Sequence, residues 1–350
     1  MSNRVRVALI GAGEITKVRH VPGLRAIEGV EIAGVVNRTR ESSQAVAAEC
    51  DIPQVYDQWQ QVMADRDVDA VVIGTWPNMH CELACAALKA GKHVLVENQM
   101  ARNLSEARAM LAVAEAHPKL VARVVPSSLG MISENIMDQL MRGHFVGDLR
   151  EVMVFAANDR FWDYSKPLHW QQDAEIAGRN VLALGAVHET LMRWVPPPVQ
   201  VYAQAELFEP TRPVPEESRF GEVTLPDSLQ IVGELKGGAR VMYHVSGVIL
   251  FGPGIQLHFY GSRGTVRLHF HAGEELIYAG RSEDTELKRI EIPAEERGSW
   301  NVEADFIAAI RGQKKTRLTD FATGVSQMEF LEAVALSAAN NQPVELPLED

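Results

Sequence analysis

Cysteine is scarce in this chain: Cys50, Cys81 and Cys85 are the only three in 350 residues. So sparse and odd a set is no disulfide framework, and it points to a reducing, cytoplasmic setting. Basic residues are in deficit, 34 Lys plus Arg against 46 Asp plus Glu, giving a formal net charge of −12. Nucleic acid and anionic membrane both call for clustered positive charge, so neither is an expected partner. No stretch reaches the ~18 apolar residues of a membrane span. Arg4 and Arg6, ahead of a short apolar run, do not read as a secretory signal. Internal repeats and low-complexity tracts are also missing. What is present is an ordinary globular balance, 46% hydrophobic and 23% charged, at a length that predicts two domains of roughly 150 residues or more.

The first third alternates apolar runs with helical patterns. Val5–Ile10, Val30–Asn37, Ala70–Ile73, His93–Val96 and Leu120–Val125 are the runs. Helical spacing lies between them at Ile15–Ile27, Glu41–Glu49, Asn78–Ala90 and after Asn103, where Glu106 three residues on suggests a capping box. Continuous apolar strands between helices predict a doubly wound parallel sheet covered on both faces, the nucleotide-binding (Rossmann) type of α/β domain over residues 1–125. Beyond Pro126 the texture changes. One helix (Ile132–Met141) precedes strands at Leu149–Ala157, Val199–Leu207, Val223–Leu235, Arg240–Val248, Ile255–Tyr260, Thr265–Phe270 and Glu274–Tyr278. A helix at Val181–Val195 is stopped by Pro196–Pro198, and helices at Val302–Arg311 and Gly324–Ala339 close the chain. Residues 126–350 are therefore expected to form an α/β domain with an open, largely antiparallel sheet, the closing helices being free to pack back on the first domain. The loop Pro210–Glu217 is expected to be exposed.

Gly11-Ala12-Gly13-Glu14-Ile15-Thr16 follows the first strand and opens a helix. In that context Gly11 permits a tight turn, and Gly13 lets the backbone approach a pyrophosphate held at the positive end of the helix. Thr16 stands where a third small residue is usual. The second strand ends at Asn37 rather than at a carboxylate, and Arg38, Thr39, Arg40 and Ser42 follow. A ribose diol prefers an acid there, whereas a 2′-phosphate prefers guanidinium, so this turn favours NADP over NAD. A solvated turn that happens to be basic is the plainer alternative.

With these residues in view, the sequence resembles the glucose–fructose oxidoreductase/inositol dehydrogenase/MocA family. Three further stretches carry the likeness: Asp69–Thr75 followed by Pro77 and His80; Ala90-Gly91-Lys92-His93-Val94-Leu95-Val96-Glu97; and Trp170 through Gly178 to His188. The resemblance runs essentially end to end. It implies an NAD(P)-dependent oxidoreductase acting by hydride transfer on a sugar, sugar acid or polyol. It also implies a cofactor site drawn from Gly11, Gly13, Glu14, Ile15, Asn37, Arg38, Thr75, Trp76, Asn78, His80 and Glu97. The departures are specific. The family has Lys-Pro after the glutamate, and this chain has Asn98-Gln99; an amide can orient a hydroxyl but cannot accept its proton. The usual aspartate four residues before the histidine is Leu184, and the later one is Leu191. Of the family's Lys, Asp and His, His188 alone remains.

His188, with a pKa that ordinarily suits acid–base work, is the first catalytic candidate, assisted by Asn98; a core histidine is the alternative. The segment from Asn158 to Lys166 interleaves aromatic faces with polar groups, as a sugar ring requires. Arg160, Trp162 and Tyr164, with Trp170, Arg179 and Asn180, are the candidate substrate contacts, and Lys166 could stand in for the missing proton carrier. An ordinary surface loop has the same composition. No metal site is expected: the second histidine of an H-E-x-x-H pattern would fall at Met192, and Cys81 with Cys85 lacks a second pair, which leaves buried thiols. A non-catalytic cofactor or ligand sensor, or an enzyme that uses transient oxidation to drive elimination or glycoside cleavage, would share all these features. The broad second face of the open sheet predicts a homodimer or homotetramer.

Overall fold

The computed structural model describes residues 4–313 and 318–349. They fall into two compact units, Met1–Pro126 with Asn301–Met328, and Ser127–Trp300 with Glu329–Asp350.

The first unit is built on strands β1 (Val5–Ile10), β2 (Val30–Val36), β3 (Ala70–Ile73), β4 (His93–Val96) and β5 (Ala122–Val124). They are parallel in the order β5-β4-β3-β1-β2, and Thr319–Asp320 adds an antiparallel edge beside β5. Every residue of β3 is buried, as a strand with helices on both faces requires. The connecting helices start where local chemistry says they should. Thr39 caps Arg40–Glu49 by accepting from the Ser42 amide, Pro77 opens Pro77–Lys89, and Asn103 caps Leu104–Ala116 by accepting from Glu106 N. The helical segment after β1 covers residues 14–25 without a break, but Thr16–His20 within it is wound as a π-helix.

This strand order reverses between β1 and β3. A doubly wound sheet opens a crevice at the carboxyl ends of the two strands that flank such a reversal. The loops there are residues 11–13 after β1 and 74–76 after β3, the latter leading into the first turn of Pro77–Lys89.

The second unit carries a nine-stranded sheet. Its long strands are β6 (Leu149–Ala157), β7 (Pro198–Glu206), β10 (Ser228–Leu235), β11 (Arg240–Ser246), β12 (Gly254–Gly261), β13 (Gly264–His271) and β14 (Glu274–Arg281). Between β7 and β10 a separate hairpin is formed by β8 (Thr211–Val214) and β9 (Arg219–Glu222). The large sheet runs from β15 (Lys288–Ile290) through β14, β13, β12, β6, β11, β10 and β7 to a short edge at Val344–Glu345. It is antiparallel except for the central β6–β11 pair. One face is apolar and buried, with Val154, Val201, Ile231, Tyr243, Leu257 and Leu268 inaccessible to solvent. The other carries Glu151, Met153, Tyr202, Val232, Arg240 and Met242 around a shallow depression of about 350 Å³.

Two expectations are corrected here. Val223–Leu235 is not one strand: Pro226 and Asp227 interrupt it, and Asp227 turns its carboxylate to the amides of Phe208 and Glu209. Pro210–Glu217 is not a bare loop but holds β8, whose Arg212 is 1% exposed. That guanidinium donates through its two terminal nitrogens to the carbonyls of Phe161 and Asp163, so its burial is compensated in part, Nε having no partner among the described residues.

Candidate functional site

In the first unit, Gly11 has φ +82°, and a Cβ there would lie 2.5 Å from Thr75 Cγ2. Only glycine allows the two loops of the crevice to approach this closely. A Cβ on Gly13 would meet nothing within 4 Å, so the space above the loop is open. The buried oxygens Thr75 Oγ1 and Asn78 Oδ1 have no hydrogen-bond partner within the protein. Buried polar atoms are rarely left so, and two beside an open glycine loop fit a polar ligand. Glu14 pairs with Lys17 at 3.3 Å, and Ile15 is exposed.

Asn37 braces the glycine loop. Its Oδ1 accepts from Ala12 N at 2.6 Å, and its Nδ2 donates to Ser42 Oγ at 3.0 Å. The basic turn beside it is less available than its composition suggests. Arg40 is paired with Asp57, and the hydroxyls of Thr39 and Ser42 serve the helix cap and Asn37. Arg38 instead lies over the exposed Trp76 ring, 5.8 Å from its centroid. Together they form a cationic and aromatic pair between the ends of β2 and β3, a surface on which a planar base can stack.

His80 is buried and set between two carbonyls, Nδ1 2.8 Å from Gln99 O and Nε2 3.0 Å from Thr75 O. Burial lowers its pKa, and the neutral ring donates to one carbonyl at a time, tying the 75 and 99 loops. Asn98 donates through Nδ2 to Val125 O at 3.3 Å, its amide reaches Glu97 Oε2 at 3.2 Å, and the Asn98–Gln99 peptide is cis.

Glu97 leads to two residues that sequence reasoning missed. Its Oε1 is 2.8 Å from His20 Nε2, and Glu303 Oε1 lies 2.5 Å from His20 Nδ1. Burial opposes charge on His20, but the two carboxylates outweigh it and raise the pKa to about 9. A signal was available: Glu303 shares the buried stripe of Val302–Ile310 with Val302, Phe306 and Ile307, and a carboxylate there requires a cationic partner.

In the second unit, His188 sits on the helix Leu184–Leu191 and is 2% exposed. It stacks on Phe330 with ring centroids 3.5 Å apart, and its Nδ1 is 2.9 Å from the Tyr243 hydroxyl. Burial lowers its pKa to about 3, so the ring is neutral near neutral pH. Arg179 is bound to Glu332 at 2.9 Å, and Asn180 Nδ2 donates to Ala177 O at 2.5 Å. Trp162, Tyr164 and Lys166 are exposed on the 158–166 loop. Arg160 lies over Phe161, and Trp170 is tilted against His169.

Cys81 and Cys85 are half-buried rather than buried, while Cys50 is buried. Among the described residues, no group of three or more His, Cys, Asp or Glu is placed to hold a metal, and no helix is long and apolar enough to cross a membrane.

Residues 5–124 match the Gfo/Idh/MocA family model described as an oxidoreductase family with an NAD-binding Rossmann fold, and residues 136–267 match the model of the same family's C-terminal domain. Together the two take in more than half of the chain. The chain belongs to the Gfo/Idh/MocA family. One relative, an oxidoreductase of Synechocystis without a characterised activity, is 25% identical over 76% of this chain and 72% of its own length. A 4-carboxy-2-hydroxymuconate-6-semialdehyde dehydrogenase of Sphingobium is 38% identical, but over 31% of this chain and 34% of its own length. The chain thus spans about a third of that relative. A solved levoglucosan dehydrogenase in complex with NADH and L-sorbose shares the fold, with TM-score 0.86, 20% identity, and coverage of 98% of this chain and 99% of that one. The family match accounts for the glycine loop and the parallel sheet.

Proposed function

We infer that this Gfo/Idh/MocA oxidoreductase binds NADP in preference to NAD and exchanges a hydride with a polyhydroxylated substrate, a sugar, sugar acid or polyol. The orphaned Thr75 and Asn78 oxygens at the open Gly11–Gly13 crevice are the observation that carries the cofactor reading. Gly11, Gly13, Thr75, Asn78 and Glu97 would hold the dinucleotide, Trp76 with Arg38 its adenosine end. Once bound, the nicotinamide supplies the hydride acceptor or donor. The substrate class is supported by the exposed aromatic and polar side chains of the 158–166 loop, and by the sugar complex of a protein with the same fold.

Proton handling departs from simple acid–base catalysis. Asn98 can align a hydroxyl by hydrogen bonding without taking its proton, and neutral His188 offers an imidazole as donor or acceptor without a change of charge. Lys166 is the exposed amine that remains for proton transfer. The experiment is incubation with NADP or NADPH and a panel of sugars, sugar acids and polyols, followed by nicotinamide absorbance. Tight cofactor binding with no turnover on any of them would favour a second reading, a cofactor-dependent sensor, which the lost lysine and the buried histidine support. We further infer a homodimer or homotetramer formed through the open sheet face around Met153, Val232 and Met242.

A further inference from the structure

The first unit holds a buried ion cluster of one histidine and two carboxylates. His20 is fully buried and Glu303 is 2% exposed, whereas the Glu97 side chain keeps 19% exposure. Local structure is adapted to the arrangement. The π-wound turn Thr16–His20 carries the ring, and such turns recur at functional sites. Gly23 leaves the room in which Glu303 lies, since a Cβ there would fall 2.4 Å from its Oε2. With both ring nitrogens protonated, Nδ1–H donates to Glu303 and Nε2–H to Glu97. The Glu97 carboxylate is then fixed through Oε1 by His20 and through Oε2 by the Asn98 amide. An ionised carboxylate has about four acceptor positions, so two bonds leave capacity on its exposed side, at the carboxyl end of β4.

Resting on the dinucleotide reading above, we propose that His20 and Glu303 are positioning residues of the cofactor site: together they hold the Glu97 carboxylate in one orientation as a hydrogen-bond acceptor for the bound dinucleotide. The charge on His20 is what makes the brace complete. A neutral imidazole has one N–H, so one of the two carboxylates then faces a lone pair. Glu303 is the more deeply buried of the two, whereas Glu97 keeps contact with solvent. Deprotonation therefore frees Glu97, the residue that reaches the ligand. Glu97 from the end of β4 and Glu303 from Val302–Ile310 face His20; on its own segment Lys17 is directed to Glu14 and Glu49.

The test is equilibrium binding of NADPH and NADH to the full-length protein from pH 7 to 10, read by energy transfer from tryptophan to the reduced nicotinamide, which is stable in alkali. Affinity should stay level to about pH 8.5 and then fall, reaching about tenfold weaker by pH 10, since each pH unit above the folded-state pKa costs a factor of ten when the bound state requires the proton. Glu303→Gln keeps an oxygen for Nδ1–H but removes one charge, so the midpoint of the fall should move down by about one pH unit or more. At pH 6.5 binding by this variant should return to that of the unmodified protein. Far-UV circular dichroism at each pH shows that the protein under titration is folded, and the unmodified protein's own profile stands if the variant does not fold. A purely structural brace would shift melting temperature and leave the binding midpoint in place. Affinity unchanged to pH 10 overturns the brace and leaves the dinucleotide reading standing; no binding of either nucleotide at pH 7 removes both.

Discussion

Replacing Arg38 by alanine isolates the choice between NADP and NAD. The turn after β2 holds two arginines, but the structure separates their roles: Arg40 is committed to Asp57, and Arg38 lies over Trp76 at 5.8 Å from the ring centroid. A charge-assisted hydrogen bond contributes about 1.5–3 kcal/mol. Arg38 is exposed, so solvent and salt reduce the value toward the lower end. That is about tenfold in affinity, at 1.4 kcal/mol per factor of ten. Arg38→Ala should therefore weaken NADPH about tenfold in low-salt buffer and weaken NADH much less. Arg40→Ala should change the ratio of the two affinities by no more than about fivefold, the upper worth of an exposed ion pair at about 1 kcal/mol. Asn37→Asp is the complement. Its retained Oδ1 still accepts from Ala12 N, now 2.6 Å away, so the loop survives while the new carboxylate repels a 2′-phosphate and welcomes a diol. Fluorescence titration with both nucleotides reads all three variants. If the unmodified protein prefers NADH, or if Arg40→Ala costs as much as Arg38→Ala, the electrostatic reasoning is wrong.

Further consequences are as direct. Gly11→Ala places a methyl group 2.5 Å from Thr75 Cγ2 at φ +82°, and should lower stability in urea by about 1–3 kcal/mol while weakening nucleotide binding. His20 has its pKa raised to about 9 from the ordinary 6.5, so its stabilising share is complete below pH 6.5 and lost as pH rises through 9. The urea midpoint should fall over that window, and Glu303→Gln should flatten the fall. Arg212→Ala leaves the carbonyls of Phe161 and Asp163 without their buried donor, at a cost of about 3 kcal/mol; chymotrypsin should then cut faster at Trp162 and Tyr164. Val232→Glu with Met242→Glu puts carboxylates on the open sheet face and should convert an oligomer to a monomer by light scattering, whereas an unmodified protein that is already monomeric removes the inferred association.

The parallel sheet was legible because its strands are continuous apolar runs and its helices carry their own start signals, Thr39, Pro77 and Asn103. Short-range chemistry of this kind is written in adjacent residues. The hairpin at Thr211–Glu222 was not, because Pro213 and flanking glutamates look like loop, and the reason for Arg212 lies in Phe161 and Asp163, some 50 positions earlier. Arg40 shows the same limit at shorter range. Its charge is plain in sequence, but Asp57, which consumes it, is brought near only by the fold. His188 was found, yet its environment was not: Phe330 and Tyr243 come from distant segments and keep the ring neutral. The widest gap is His20 and Glu303, which are 283 residues apart and carry no mutual pattern.

That separation bears on how the chain can be cut and recombined. The nucleotide-binding unit is not a segment, since Asn301–Met328 counts with Met1–Pro126. A fragment ending at Pro126 would retain every glycine and strand end of the crevice, yet it would bury His20 beside Glu97 with no Glu303, and leave β5 without its Thr319–Asp320 neighbour. A graft that exchanges nucleotide-binding halves between relatives must therefore carry two pieces, and a crossover placed at residue 126 alone would pair a histidine from one parent with a glutamate from the other.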